Sequence, residues 1–528
     1  MAARQDPGAL ALPLAAVAGG LAFYAALVVA TLVATGGVFE YPLDDPYIHL
    51  ALAEQIVAGN YGINPGEVSS PGSSPLFPLL LMLFADSPIQ RYLPAFWNVV
   101  GLAASTWLWG RLLFEAGYAR AGWRPIGFVL AALGPAILLM PQVAFLGMEH
   151  SLHVAAALAV VLGLYRHLSG ERPGGMGLIL GGTLLGSAFR FEAMALGLFA
   201  AIALFFTDRR GVGAVTALLA FLPVVLFMGF LLSLGLDPAP SSVQVKLSDG
   251  PIASDNPLTR FAINAFLNPT APGGKLVVAF VLGLFLLWRF SPGLRTNRLW
   301  KLAAVGVAAG VAHLLAGQTG WANRYEHYVL VILAAILVML VPRAQPGPTP
   351  GPRALALLLA IFLAPILVFQ PAGTTDLPRG ARAILTQQGQ MAQFAQGVLK
   401  APVAVNDIGR VAWRNPDYVL DLWGLASGEA REIRMSEPAP GWTDVLTGRH
   451  DVPVAMIYET WFEDGIGSDW VRMGQLELTI PMGYLGAPAV AFYATNPDVA
   501  DPLRDAIAAW VPGLRPGSRF VWEEGMAP

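Results

Sequence analysis

Apolar stretches of about twenty residues recur through the first 370 positions of this chain, and that is the length a helix needs to cross a hydrocarbon layer. Such runs leave few folds open. In lipid every backbone polar group must be satisfied within the segment, so a spanning element is a helix or part of a closed barrel. Charged residues make up 13% of the sequence, about half the share usual in soluble domains. A polytopic α-helical membrane protein is therefore the expected fold class. The chain has no cysteine, which excludes disulfides and thiolate metal sites. The apolar run from Leu10 to Ala34 is too long for a signal-peptide core and has no convincing cleavage site, so it reads as a retained helix.

Hydropathy places about eleven transmembrane segments, near residues 9–35, 91–114, 125–146, 150–168, 174–190, 191–207, 212–236, 274–290, 301–318, 325–342 and 353–371. Charge then orients them. With the N-terminus cytoplasmic, the inner loops hold fourteen Lys/Arg, among them Arg111, Arg120, Arg124, Arg209, Arg210 and Arg343. The outer loops hold six: Arg91, Arg190, Lys246, Arg260, Lys275 and Arg324. Acids run the other way, four inside and twelve outside. This bias is the positive-inside pattern of a cytoplasmic (inner) membrane protein. Counting "PLFPLLLMLFA" at 75–85 as a span would move Arg111, Arg120 and Arg124 outside. It is short and carries Pro78, so a helix at or dipping into the outer interface is expected there.

An odd number of spans leaves the C-terminus outside. From about Asp376 the composition changes, with twelve Lys/Arg against nineteen Asp/Glu and no stretch long enough to span. "APVAVNDIG", "YVLDLWG", "VPVAMIYET" and "APAVAFYAT" read as short strands. "DPLRDAIAAW" reads as a helix with Asp501 as N-cap and Pro502 at its first position. The expected organisation is a transmembrane part over residues 1–372, with a long first outer loop at 36–90, and an extracytoplasmic α/β domain over 373–528.

The first outer loop opens on "FEYPLDDPYIHLALAEQIVAGNYG". Asp45 before Pro46 suits an N-cap followed by an N1 proline, and the residue before proline is pushed toward the extended geometry a cap needs. A helix from Pro46 to about Ala58 would then lie at the interface, with Ile48, Leu52 and Ile56 on one face and His49, Glu54 and Gln55 leaning to the other. Asp44 has no capping duty. Residues 39–90 carry six acids and no base, so an acidic site at the outer aqueous edge is expected.

The run "DDPYIHLALAEQIVAGNYGINPGEVSSPGSSPLFPLLL" resembles the first extracytoplasmic loop of GT-C glycosyltransferases, in the branch that includes bacterial arabinofuranosyltransferases. Later segments resemble that branch in order and sidedness: "GMEHSLH" at 147, "RFEAM" at 190, "PAPSSVQVKLS" at 238, "NRYEHY" at 323 and "NDIGRVAWRNPDYVLDLWGLAS" at 406. Phe191 stands where the family has Pro, and the 238 segment lacks the family's Asn.

The resemblance implies transfer of a sugar from a polyprenyl-phosphate-linked donor to a glycan, lipid or protein acceptor on the outer face. An inverting transfer needs one carboxylate as base. Asp44 is the expected base, with Asp45 capping the helix and holding Asp44 or binding the acceptor. The leaving lipid phosphate needs cationic donors at the membrane edge, for which Arg190, Lys246 and Arg324 are the candidates. Arg190 with Glu192, between two short spans, is an ionisable pair at membrane depth. His49, Glu149, Glu192 and Tyr325 are candidate substrate contacts. Asp44, Asp45, Glu149 and Glu192 could also hold a divalent cation (Mg, Mn or Ca) through oxygen ligands. Asp407 and Asp421 read as structural acids at strand ends. The bilayer, the lipid-linked donor and the acceptor are the expected partners, and no nucleic acid is expected. The competing reading is a transporter or flippase of lipid-linked saccharides, which would place ionisable groups and broken helices near the midplane.

Overall fold

The structure is a computed structural model and describes residues 8–170, 173–207, 209–248, 256–345, 347–369, 372–436 and 438–528. Each apolar segment found by hydropathy coincides with helix: Gly8–Ala34, Leu93–Ala116, Arg124–Ile137 continued by Met140–Phe145, His150–Leu168, Gly175–Phe189, Ala193–Phe205, Arg210–Ser233, Pro272–Phe290, Trp300–Ala316, His327–Ala344 and Pro352–Phe369. Among the described residues, seven helices are long and apolar enough to cross a membrane. Gly175–Phe189, Ala193–Phe205 and Trp300–Ala316 are apolar but shorter. Leu93–Ala116 has the length but carries Arg111 and Glu115. This is the helix set of a multi-pass membrane protein.

The helix His327–Ala344 is the hub. Its residues from His327 to Pro342 are buried throughout, as expected of a helix apolar on all sides. Small residues set the tightest crossings. A Cβ at Gly110 would lie 2.4 Å from Pro13 Cα, and one at Gly163 would lie 2.6 Å from the Gly175 carbonyl. Glycine at these points lets backbones meet where lipid gives no hydrophobic push between helices.

The C-terminal part is a six-stranded mixed sheet. Its strands are β1 Val403–Val405, β2 Val419–Asp421, β3 Val454–Ile457, β4 Val471–Leu478, β5 Ala489–Ala494 and β6 Ser518–Trp522. They lie in the order β2-β1-β3-β5-β4-β6, with β1 parallel to both neighbours and the remaining pairs antiparallel. The four expected strands are β1, β2, β3 and β5. The other two, β4 and β6, were not expected from the pattern. β4 reads "VRMGQLEL", too polar for a strand signal, and is bulged at Gly474. The helix Ala500–Trp510 forms as expected, but Val499 holds the cap position and Asp501 lies inside the first turn.

Two expectations for the first outer loop need correction. The stretch 75–85 contains only the single turn Phe77–Leu80, and Phe77 is buried. The helix Asp45–Val57 is not an interfacial helix with one wet face, since Pro46 to Ala53 are all buried. The cause is the outer domain. Tyr41, Tyr47, Leu50, Ile63 and Phe77 of the loop share one hydrophobic core with Val405, Val411, Met456 and Phe492 of the sheet domain. Loop 36–90 is thus packed as a layer of the outer domain as well as a loop of the helical part.

Candidate functional site

The helix Asp45–Val57 begins one residue earlier than the Pro46 signal suggests. Asp44 occupies the cap position with αR backbone and makes no side-chain cap bond, while Asp45 is the first helical residue. That single-residue difference sends the two acids in different directions, because each residue turns a helix by about 100°.

Asp45 faces a cleft of about 40 Å³ between the helical part and the outer domain. Its Oδ1 accepts a hydrogen bond from Arg324 Nη2 at 2.9 Å. His49, one turn along the same helix face, lines the same cleft and packs its ring against Phe77. Arg190, Tyr325, Met148, Ser73, Ser242 and Leu425 complete the walls.

Arg324 reaches the cleft from an unusual turn. Trp321, Ala322 and Asn323 all have positive φ (44°, 60° and 57°), a conformation that non-glycine residues adopt at a cost and that clusters at functional sites. Glu326 Oε2 closes the turn by accepting from Gly320 N at 2.8 Å. Arg324 is 3% exposed, and its Nε and Nη1 have no hydrogen-bond partner among the described residues. Asp45 thus engages one edge of the guanidinium and leaves two buried donors unused.

Arg190 is built differently. It stands in extended conformation just after helix Gly175–Phe189. Its Nε and Nη2 donate to the two oxygens of Glu192 at 3.1 and 2.6 Å, and its Nη1 donates to Glu149 at 2.7 Å. Glu149 is fully buried ahead of helix His150–Leu168. Two carboxylates face this one guanidinium, so its charge is already more than balanced. The Tyr325 ring joins the two sides, with Arg324 5.1 Å and Arg190 5.9 Å from its centroid.

Asp44 turns away from the cleft. Its Oδ2 accepts from Gly409 N at 2.6 Å and its Oδ1 from Arg410 N at 2.7 Å. It is 8% exposed. Burial pushes its carboxyl up to about 7, against the opposing pull of those two amides. Asp407, two residues past the end of β1, accepts from Gln388 Nε2 and Tyr458 Oη at 3.1 Å each, and burial beside Asp44 raises its carboxyl well above the ordinary range.

The outer domain grips both loops that wall the cleft. Asn64 pairs with both backbone groups of Val419, at 2.9 and 3.0 Å, and Gln90 accepts from Trp413 Nε1 at 2.8 Å. Arg431 donates to Ser241 at 2.7 Å and Asp237 at 2.8 Å. Leu425 is carried into the wall by a turn whose amides, Trp423 N and Ala426 N, donate to Asp421 at 2.8 and 2.6 Å. Asp421 is therefore a structural acid at a strand end, as its position suggests.

Of the residues proposed from sequence, Asp45, His49, Arg190, Arg324 and Tyr325 line one cleft, with Glu149 and Glu192 engaging Arg190. Asp44 does not line it. The side chain of Lys246 lies outside the described residues. The proposed cation donors do not form a set that fits a metal: Glu149 and Glu192 bind Arg190, Asp44 binds two amides, and among the described residues no three His, Asp or Glu side chains gather around one point. Sequence reasoning missed Ser73, Ser242 and Leu425, although each lies within a segment that resembles the glycosyltransferase loops. It also missed the left-handed turn before Arg324, for which "WAN" gives no local signal.

A family model described as a domain of unknown function (DUF8728) matches residues 382–493. That span runs from the end of helix Ala372–Thr386 through β5 and includes both the Gly409–Arg410 turn and the Asp421 turn. No curated protein matches the chain.

Proposed function

We propose that this chain is a GT-C-type membrane glycosyltransferase. It has eleven spans and a cytoplasmic N-terminus, and it transfers a sugar from a polyprenyl-phosphate donor to a cell-envelope acceptor at the outer face. The observation that carries this reading is the Asp45–Arg324 pair, a carboxylate and a buried arginine with two unused donors, side by side in one cleft. It is supported by the resemblance of the first outer loop and by the charge bias of the loops.

In this reading the acceptor hydroxyl attacks the anomeric carbon. The new glycosidic C–O bond forms as the bond from that carbon to the phosphate oxygen breaks, with inversion. Asp45 takes the hydroxyl proton as base, and polyprenyl phosphate leaves with the bonding electron pair. Arg324 Nε and Nη1 receive the phosphate charge in a site of low dielectric, where such contacts count most. Arg190, bound by two glutamates, shapes the wall and holds Tyr325. His49 and Tyr325 contact the sugar.

Product analysis by mass spectrometry tests this, using membranes containing the protein and a panel of polyprenyl-phosphate sugars. A new glycosidic product that depends on the chain is expected. Movement of lipid-linked saccharide across the membrane with no new bond would replace this reading by the flippase one.

A further inference from the structure

The outer sheet has a topological switch point. Strand β1 lies between β2 and β3, parallel to both; the connection leaving β1 runs to β2 on one side and the connection leaving β3 runs to β4 on the other, so the two part between β1 and β3. Crevices of this kind are where open α/β sheets hold ligands. Here the crevice is filled from within the same chain. The turn after β1 offers two amides, Gly409 N and Arg410 N, and both oxygens of Asp44 accept them. Asn406, at the same strand end, accepts from Tyr458 N at 2.9 Å and ties the turn to β3.

Two further observations bear on this contact. A Cβ at Gly409 would lie 2.3 Å from the Asp44 carbonyl oxygen and 2.7 Å from its Oδ2, so only glycine admits the approach. Behind it, the Arg410 guanidinium lies over the rings of Tyr47 and Trp413, 5.1 and 5.3 Å from their centroids, clasping the same short helix. Asp44 and Asp45 share one peptide bond. Fixing the first at the sheet fixes where the second enters the cleft.

We infer that Asp44 is a positioning residue, a latch by which the switch point of the outer sheet sets Asp45 in the cleft. Its catalytic consequence rests on the transferase reading; the latch itself does not. The outer domain then completes the active site and is more than a binding module attached to it. A small displacement of a reacting group can cost up to about 10²-fold in rate, so a contact outside the chemistry controls turnover.

The test uses the full-length, detergent-solubilised protein with Gly409→Ala, which alters neither carboxylate, and Asp44→Asn, which keeps the shape but turns one acceptor into a donor. Hydrogen exchange is read at amides 409–410 and along residues 45–53, and transfer from polyprenyl-phosphate sugars is read as kcat and KM. Both variants are expected to exchange faster at those amides and to lose about 10–100-fold in kcat with donor KM little changed. The acid limb of the pH–rate profile, which reports the Asp45 base, is expected to shift in both. Exchange equal to wild type in both variants overturns the latch, whatever the activity. Faster exchange with unchanged kcat and pH profile overturns the positioning role and leaves only a structural contact. A wild-type protein inactive with every donor refutes the transferase reading, while exchange still decides the latch. Should Gly409→Ala fail to fold, Asp44→Asn carries the same readouts alone.

Discussion

The two arginine sides of the cleft are built from the same residue types and come out opposite. On the Arg190 side, three donors of the guanidinium meet Glu149 and Glu192, and the charge is consumed before any ligand arrives. On the Arg324 side one donor meets Asp45, and two remain buried and unused. A buried guanidinium with every partner in place is a structural element, and removing it strands charge. One with donors left over is prepared for an anion, because unmade buried hydrogen bonds are costly until something makes them. Under the proposed function the ligand falls to Arg324 and the architecture to Arg190, although both sit beside the same tyrosine ring.

The largest expected effect separates the two neighbouring acids. In the proposed transfer Asp45 is the base, so Asp45→Asn, which hardly changes its shape, is expected to lower turnover by about 10²–10⁴-fold. Asp44→Asn is expected to be milder, at the 10–100-fold of a displaced group. Kinetics on the purified variants check this, and a dead Asp44→Asn beside a near-normal Asp45→Asn would exchange their roles.

Next comes the saturated side. Arg190→Ala leaves Glu149 buried without its cation, which typically costs about 3–5 kcal/mol. Thermal unfolding in detergent is expected to show that loss. A variant as stable as wild type would return Arg190 to the ligand-binding side of the comparison.

A third effect is pH-dependent and smaller. Asp44 titrates at about 7 in the docked form, above the ordinary carboxyl value of 3.8. Burial raises it most and Asp45 adds to that, while the amides of Arg410 and Gly409 and the Arg410 guanidinium lower it; Asp407, itself raised by Asp44, lies beside it. Between those two values the docked state holds a proton that the undocked state releases. Docking is therefore strongest below about pH 4 and weakens as pH rises to about 7. Hydrogen exchange at amides 409–410 from about pH 5 to about pH 8 is expected to show this weakening, beyond the intrinsic rise of exchange with pH. Asp44→Asn is expected to remove it.

Much of this fold was legible in the sequence because the signal is local. An apolar run long enough to span is visible without knowing its neighbours, and all the expected segments coincide with helices. β4 and β6 were not legible, because half-buried polar strands at one side of a sheet take their identity from the partners they pair with. The cleft was legible as a set of residue types at the outer ends of spans. The division of labour between Asp44 and Asp45 was not. It depends on Gly409, 365 positions away, and on Arg324, 279 positions away, and on which residue opens a helix that Pro46 marks only to within one position.

The orientation of the whole can be checked with no enzymology. The chain has no cysteine, so single thiols placed at Ala58, Gly513 and Gly347, all exposed, report alone. An impermeant reagent is expected to label the first two in intact cells and to spare the third. Labelling of Gly347→Cys alone would invert the topology.

The most direct test of the central comparison is binding of polyprenyl phosphate, the leaving group of the proposed transfer, to three purified proteins: wild type, Arg324→Gln and Arg190→Lys. Charged hydrogen bonds of this kind contribute roughly 1.5–3 kcal/mol each, so Arg324→Gln is expected to bind at least about tenfold more weakly. The folded fraction of Arg190→Lys is expected to bind as wild type does. An Arg324→Gln protein that binds normally, beside an Arg190→Lys protein that does not, would contradict the account.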